Sequence, residues 1–349
     1  MRAQLLDRLS IVDLILWALR IAIVVFVAVG SWMTLSQGLL GIERWGDLLV
    51  NGLSTGSIYA LIALGYTLVY GVLFMINFAH GEVFMSGVYT AFFAATALAD
   101  TGMLESNPIV GLAIIFAVAM ITSMIVALLL ERIAYRPLRR APRLVPLITA
   151  IGASLFIQYT FRGLFGSGVR SYPPIAILTG NVNIFGLEML KTQLVVIVSA
   201  VVLMAGLYVF IQRTRTGRAM RAVSEDKDVA AMMGIDVDRV IATTFAIGGL
   251  LAGATGILYV MLFNVVSFSM GFLPGIKAFT AAVLGGIGNI VGAMLGGIFL
   301  GLLESIGPRL LLSGFGVPSI NQLRDVVAFT VLVLVLIFRP YGILGRKEG

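Results

Sequence analysis

Asn77, His80 and Glu82 crowd one short stretch, INFAHGE (Ile76–Glu82), between two apolar runs. A carboxamide, an imidazole and a carboxylate at that spacing can share hydrogen bonds or a proton. A charge at a bilayer centre costs at least about 2.5–3.5 kcal/mol, so ionisable groups among apolar residues are functional suspects. The plainer role is a hydrogen bond between His80 and Glu82 that closes the turn. Lys277 opens a second such place, KAFTAAVLGG, with Thr280 and Ala281 on the following turn. A lysine near a helix start is expected to snorkel to the interface. Glu304 lies near the outer end of its run, with Arg309 and Arg324 in reach as ion-pair partners. Asn77, His80, Glu82, Lys277, Thr280 and Ala281 are the candidate residues of a pathway through an apolar layer.

Other chemistry is excluded. The chain has no cysteine and one histidine, which rules out disulfides, thiol catalysis and the usual Cys or His metal sets. No Gly-x-x-x-x-Gly-Lys-Ser/Thr run occurs, so nucleotide phosphates are not cradled in that way. No cofactor is expected. A membrane enzyme has little to work with.

The elements that must position these residues are membrane helices. Of 349 residues, 59% are hydrophobic and 12% charged, and mean hydropathy is +1.04; soluble domains run near a quarter charged. Runs of roughly 20 apolar residues recur, the length that crosses a hydrocarbon core as a helix. They lack the alternation of a membrane β-barrel. The reading is an all-α polytopic membrane protein with about ten spans, at 14–34, 48–73, 82–98, 109–131, 144–161, 193–211, 240–262, 276–287, 290–306 and 325–338. Arg2 and Arg8 precede the first run. That run is of span length and has no small-residue cleavage exit, so it reads as a retained span.

Basic residues set the orientation. Loop 132–143 carries Arg132, Arg136, Arg139, Arg140 and Arg143, and Arg339, Arg346 and Lys347 lie in the tail. Segments 99–108 and 263–275 have no Lys or Arg. Ten crossings put every strongly basic loop and both termini on one side, the cytoplasm by the positive-inside rule. The net charge of +7 is a topology signal and no nucleic-acid footprint.

Two places interrupt helices. GGIGNIVG (Gly285–Gly292) is a poor helix interior, because each glycine costs about 1 kcal/mol there, so 276–306 reads as two short helices meeting at a turn. INFAHGE is the other. Breaks at membrane depth are tolerated where protein or a water-filled cavity satisfies the backbone. Small residues spaced by four (Gly52, Gly56 and Ala60; Gly249 and Gly253; Gly288, Gly292 and Gly296; Gly297 and Gly301) mark close helix packing within the bundle, with subunit dimerisation the alternative. VYGVLFMINF (Val69–Phe78) is similar to LYVMLFN (Leu258–Asn264), on spans of opposite direction, which hints at an inverted repeat.

The largest charged feature is Arg213–Arg239, with six basic and five acidic residues between two spans. Ser224 is placed to cap a helix with Glu225 and Asp226 in its first turn. The helix runs through Ala230 and Ala231 and stops at Gly234, a C-cap glycine. Such a helix suits a cleft in a soluble partner; the alternative is a solvated loop whose arginines only set topology.

This loop resembles the coupling loop of ABC importer permeases. Asn51–Gly87 (NGLSTGSIYALIALGYTLVYGVLFMINFAHGEVFMSG), Glu131–Gln158 (ERIAYRPLRRAPRLVPLITAIGASLFIQ), Lys277–Gly297 (KAFTAAVLGGIGNIVGAMLGG) and Phe338–Arg346 (FRPYGILGR) look like LivH-type permeases of branched-chain amino acid importers. The resemblance covers about 47–346. Residues 1–46 depart from it as an N-terminal extension with one extra span, leaving 47–349 as the permease domain with coupling loop 212–239. It implies a bacterial inner-membrane subunit with a type II-like importer fold. Its implied partners are a second, LivM-type permease, two ATPase subunits, a periplasmic substrate-binding protein and membrane lipid, but no nucleic acid. ATP hydrolysis would belong to the ATPase subunits. Urea and short-chain amide importers are the alternative. A stand-alone secondary transporter would need a buried carboxylate relay, which the sequence lacks.

Overall fold

The computed structural model describes residues 11–139, 141–142, 144–184, 186–338 and 342–345. Arg2, Arg8, Arg140, Arg143, Arg339, Arg346 and Lys347 lie outside them. Among the described residues, eight helices are long and apolar enough to cross a membrane. They are α1 (Ile11–Ser36), α2 (Ile42–Leu73), α3 (His80–Asp100), α5 (Pro108–Leu130), α6 (Leu144–Phe165), α7 (Lys191–Arg213), α10 (Val237–Phe263) and α12 (Ile290–Leu312). α4 (Met103–Ser106) is a single turn, and α8 (Arg215–Glu225) and α9 (Lys227–Met232) lie in the charged loop. α11 (Phe272–Gly285, 14 residues) and α13 (Arg324–Phe338, 15 residues) are too short to count by length. The remaining regular structure among the described residues is a few short 3-10 and π-helical turns and two small antiparallel pairs. β1 (Arg170–Ser171) pairs with β4 (Val265–Val266), and β2 (Asn181–Ile184) with β3 (Leu187–Leu190).

Glycine and alanine set the packing, because a helix without side chains at the contact lets another backbone approach closely. A side chain at Gly301 would strike the backbone of Gly56, and one at Gly297 that of Ala60, so α12 lies directly on α2. In the same way Gly253 and Gly249 of α10 lie on Ala119 and Ser123 of α5. The core is therefore two close pairs, α2 with α12 and α10 with α5, joined where α2 meets α10.

The two pairs repeat one plan. α2 ends at Phe74, whose φ is 57° and whose N–H donates to the Tyr70 carbonyl. α10 ends at Asn264, with φ 54° and a bond to the Val260 carbonyl. A left-handed residue is uncommon outside glycine, most of all for a bulky side chain. After each cap the chain runs back into the bundle before the next helix starts. His80 lies against Gly65, eight residues back along α2 and about 12 Å from its end. Gly271, at the start of α11, abuts Gly81, at the start of α3. The units α2–α3–α5 and α10–α11–α12 thus match in order and partners while α2 and α10 run in opposite directions. The inverted repeat hinted at by VYGVLFMINF and LYVMLFN is present in the backbone.

The expected turn between 276–287 and 290–306 is present between α11 and α12, held by Gly286 (φ 102°) and Gly288 (φ 91°). Its second helix is 23 residues and not short. Chain from the C-terminal segment pins this turn, with Ile343 and Leu344 N–H groups donating to the Leu284 and Gly285 carbonyls. α1 stands at the edge of the bundle and is almost wholly exposed. Phe26 stacks on Phe315 at 5.9 Å, the Gly314 N–H donates to the Thr34 hydroxyl at 2.9 Å, and the Arg20 guanidinium lies 4.6 Å from the Phe338 ring.

Candidate functional site

The first break is built around Asn77, which is buried. Its side-chain carbonyl accepts from the Ala79 N–H (3.1 Å) and from the Tyr135 hydroxyl (3.0 Å), and its backbone carbonyl accepts from His80 N–H. Asn77 therefore closes the turn, and the expected His80–Glu82 bond does not form. Among the described residues, His80 Nε2 and Glu82 Oε2 have no hydrogen-bond partner. The imidazole lies edge-on to Tyr66, with centroids 5.1 Å apart, in space left by Gly65 and facing Gly248. The Ser154 hydroxyl of α6 faces the Glu82 carboxyl.

Beside this break, Ile76 shares a small cleft with Tyr66, Tyr70, Phe279, Ala282 and Ile287. The turn between α11 and α12 and the break after α2 thus approach each other, as expected from their glycines. Phe78 also meets Phe279, with ring centroids 5.3 Å apart.

Lys277 does not snorkel. It is 8% exposed, and Nζ lies 2.7 Å from Glu304 Oε1, 2.6 Å from Asp325 Oδ1 and 3.3 Å from the Tyr59 hydroxyl. Glu304 is therefore paired with Lys277 rather than with the expected Arg309 or Arg324. Arg309 instead donates to Asn321 Oδ1 at 3.1 Å. Asp325 was not singled out from sequence: it opens the last apolar run, and only the packing of α13 on α11 brings it to Lys277. Thr280 is buried and donates to the Ile276 carbonyl at 2.9 Å. Ala281 is buried too, its carbonyl facing Gly296.

The charged loop forms a helix pair. Ser224 is not its cap: it sits in the last turn of α8 and donates to the Arg221 carbonyl at 2.7 Å. Asp226 caps α9, its Oδ1 accepting from Asp228 N–H (2.8 Å) and Val229 N–H (3.0 Å). A carboxylate both satisfies free donors and faces the positive helix end, and Asp226 adopts the extended backbone a cap needs. Glu225 belongs to α8 and is exposed. At the far end Gly234 takes φ 82°. Gly234 N–H donates to the Ala231 carbonyl and Ile235 N–H to the Ala230 carbonyl, the paired bonds of a Schellman ending. Ala230 is buried against the bundle, whereas Ala231 is exposed and Met232 and Met233 are each 78% exposed.

Two sets of contacts tie this loop to the first break. Lys227 Nζ donates to the Leu73 carbonyl at 3.3 Å and lies 5.8 Å from the Phe74 ring. Burial, and then the nearby Arg139 guanidinium, lower the Lys227 pKa from its ordinary value. Separately, Asp238 at the start of α10 binds Arg136 and Arg139, and Arg139 also binds Glu131. Glu131 opens the π-helical turn Glu131–Tyr135 that supplies the Tyr135 hydroxyl to Asn77.

A bundle of membrane-length helices, broken twice in its core and carrying a capped helix on one end, defines an integral membrane protein of permease type. The chain belongs to the family described as branched-chain amino acid transport system / permease component, whose model matches residues 48–336. It is 48% identical over 303 residues to the high-affinity branched-chain amino acid transport system permease protein BraD of Pseudomonas aeruginosa, covering 86% of this chain and 95% of that one. It is 42% identical over 306 residues to the LivH permease of Escherichia coli, covering 85% and 94%. Among solved structures it is similar to PsaBC from Streptococcus pneumoniae, bound to a Fab, at 13% identity and a TM-score of 0.44, covering 84% and 92%.

Proposed function

We propose that this chain is a transmembrane permease subunit of an ATP-driven importer for branched-chain amino acids, forming half of the translocation pathway. Its relatives carry that substrate class in their names. A second, LivM-type permease supplies the other half, two ATPase subunits hydrolyse ATP, and a periplasmic binding protein delivers substrate. The chain crosses the bacterial inner membrane ten times in a type II-like arrangement, α11 and α13 completing the eight long helices. Both termini face the cytoplasm. Residues 1–46 are an added segment with one span, preceding the permease domain 47–349.

The observation that carries this reading is α9. A six-residue helix, capped by Asp226 and ended by Gly234, rests on the bundle through Ala230 and turns Ala231, Met232 and Met233 outward, where nothing in this chain covers them among the described residues. Exposed methionines adapt to a cleft in another protein. The apolar cleft of Ile76, Phe279 and Ile287, closed here to anything larger than a water molecule, would widen to pass a leucine, isoleucine or valine side chain. Asn77, His80, Glu82, Lys277, Thr280 and Ala281 remain the candidate residues of the same pathway.

Reconstitution of the complete complex in liposomes tests the proposal. Leucine, isoleucine or valine uptake should require ATP and the binding protein. Uptake of urea with no branched-chain uptake would move the assignment to the amide branch. Uptake without ATPase subunits would support a stand-alone carrier.

A further inference from the structure

Lys227 is in the wrong place for its own helix. It is the first residue of α9, where the helix dipole is positive and a cation is disfavoured. Its ammonium instead reaches back to the Leu73 carbonyl, one of the last carbonyls of α2. Those carbonyls have no intrahelical partner, and a cation is favoured beside them. The next residue, Phe74, holds the left-handed φ that turns the chain back into the bundle, and its ring lies under the same ammonium. The far side of the break is held as well. Asn77 takes its hydrogen bond from Tyr135, and Tyr135 follows Glu131 in one π-helical turn. That turn is pinned through Arg139 to Asp238, four residues past the end of the α9 cap region at Gly234.

We infer that Lys227 and Tyr135 form a two-point clamp through which displacement of α9 moves the break at 74–79. The inference rests on α9 being the ATPase-docking helix. Lys227 grips the entry to the break and the Tyr135 hydroxyl its exit, and the two grips lead back to α9 itself and to the chain just after it. A push on α9 bears on Leu73 and Phe74 directly. A push on the start of α10 bears on Asn77 through Asp238, Arg139, Glu131 and Tyr135. Lys227 and Tyr135 are positioning residues; neither is required to touch substrate.

The test uses the whole transporter in liposomes with Lys227→Met, Lys227→Arg and Tyr135→Phe. The readouts are substrate carried per ATP hydrolysed and the labelling of Met75→Cys by a water-soluble maleimide, with and without ATP and vanadate. Met75 is half-buried in the break, and the chain has no native cysteine. Lys227→Met should lower transport per ATP roughly tenfold, the worth of one charged hydrogen bond, and remove the nucleotide-dependent change in labelling. Tyr135→Phe should act in the same direction, and Lys227→Arg, which keeps a donor and charge, should retain most of both. Wild-type transport per ATP together with wild-type labelling changes in Lys227→Met would overturn the clamp. Ala231→Trp separates the two ideas. If it releases the ATPase subunits while Lys227→Met behaves as wild type, only the clamp fails. If it leaves docking and transport intact, the docking reading fails and the clamp with it.

Discussion

Removing the ammonium of Lys277 should destabilise this protein more than any other single change to a charged group in its core. Lys277→Met keeps most of the side-chain volume and deletes the charge that faces Glu304 and Asp325. Glu304 is 7% exposed and already has one oxygen without a partner, so its carboxylate would be left buried and uncompensated. Breaking a buried pair in this way costs about 3–5 kcal/mol. Asp325 is half exposed and regains water, so Asp325→Asn should cost no more than about 1 kcal/mol, the scale of exposed pairs. Glu304→Gln on top of Lys277→Met should recover much of the loss, because the isolated charge disappears with it. Size-exclusion profiles after graded heating in detergent would measure this. A drop in Tm of several degrees is expected for Lys277→Met, with partial recovery in the double variant. A Lys277→Met protein as stable as the parent, or a double variant no better than the single, would refute the claim that charge compensation holds these helices together.

Other consequences follow from named contacts. Asp226→Ala should weaken α9 by about 1 kcal/mol and reduce ATP-driven uptake, whereas Ser224→Ala should leave uptake unchanged, since Ser224 only bonds within α8; comparing initial uptake rates decides. Gly234→Pro should abolish uptake without blocking membrane insertion, because φ 82° is closed to proline. Gly301→Leu should prevent the approach of α12 to Gly56, with a loss of several kcal/mol read as aggregation on purification. Single cysteines at Asn77, Thr280 and Ala281, all buried within this chain, should react slowly at rest and faster when the binding protein and ATP are added; inertness at all three in an active complex would place the pathway elsewhere.

Periodicity and composition were enough to read the eight long helices, because a 20-residue apolar run has one stable solution in lipid. The glycine pairs were legible as packing signals for the same reason, and Gly56 with Gly301 and Gly249 with Ser123 show which helices they join. Partners across the bundle were not legible. Nothing near Lys277 in sequence points to Asp325, and Arg309 is a closer candidate for Glu304 by residue number than Lys277 is. Ser224 and Asp226 are both sound cap residues by type. What separates them is that α8 runs on through Glu225, and α8 was invisible because its apolar residues are few. The role of Asn77 was hidden by its donor, since Tyr135 lies 58 residues away.

The inverted repeat gives the two breaks different neighbours. The first, after Phe74, is held by Lys227 and Tyr135, from the end of the bundle that carries the basic loops. The second, after Asn264, is held from the other end. There β4 pairs with β1, Val266 opposite Arg170, and Tyr172 N–H donates to the Asn264 carbonyl at 3.3 Å. The two breaks then meet, backbone against backbone, where Gly81 abuts Gly271 and Gly275. Each half of the repeat therefore ties one end of the bundle to a common crossing point, where glycine backbone meets glycine backbone beside Met85 and Tyr66. A bulky residue at Gly81 would separate the halves, and the symmetry predicts that Gly81→Val and Gly271→Val fail alike: both chains should insert, and neither should support uptake.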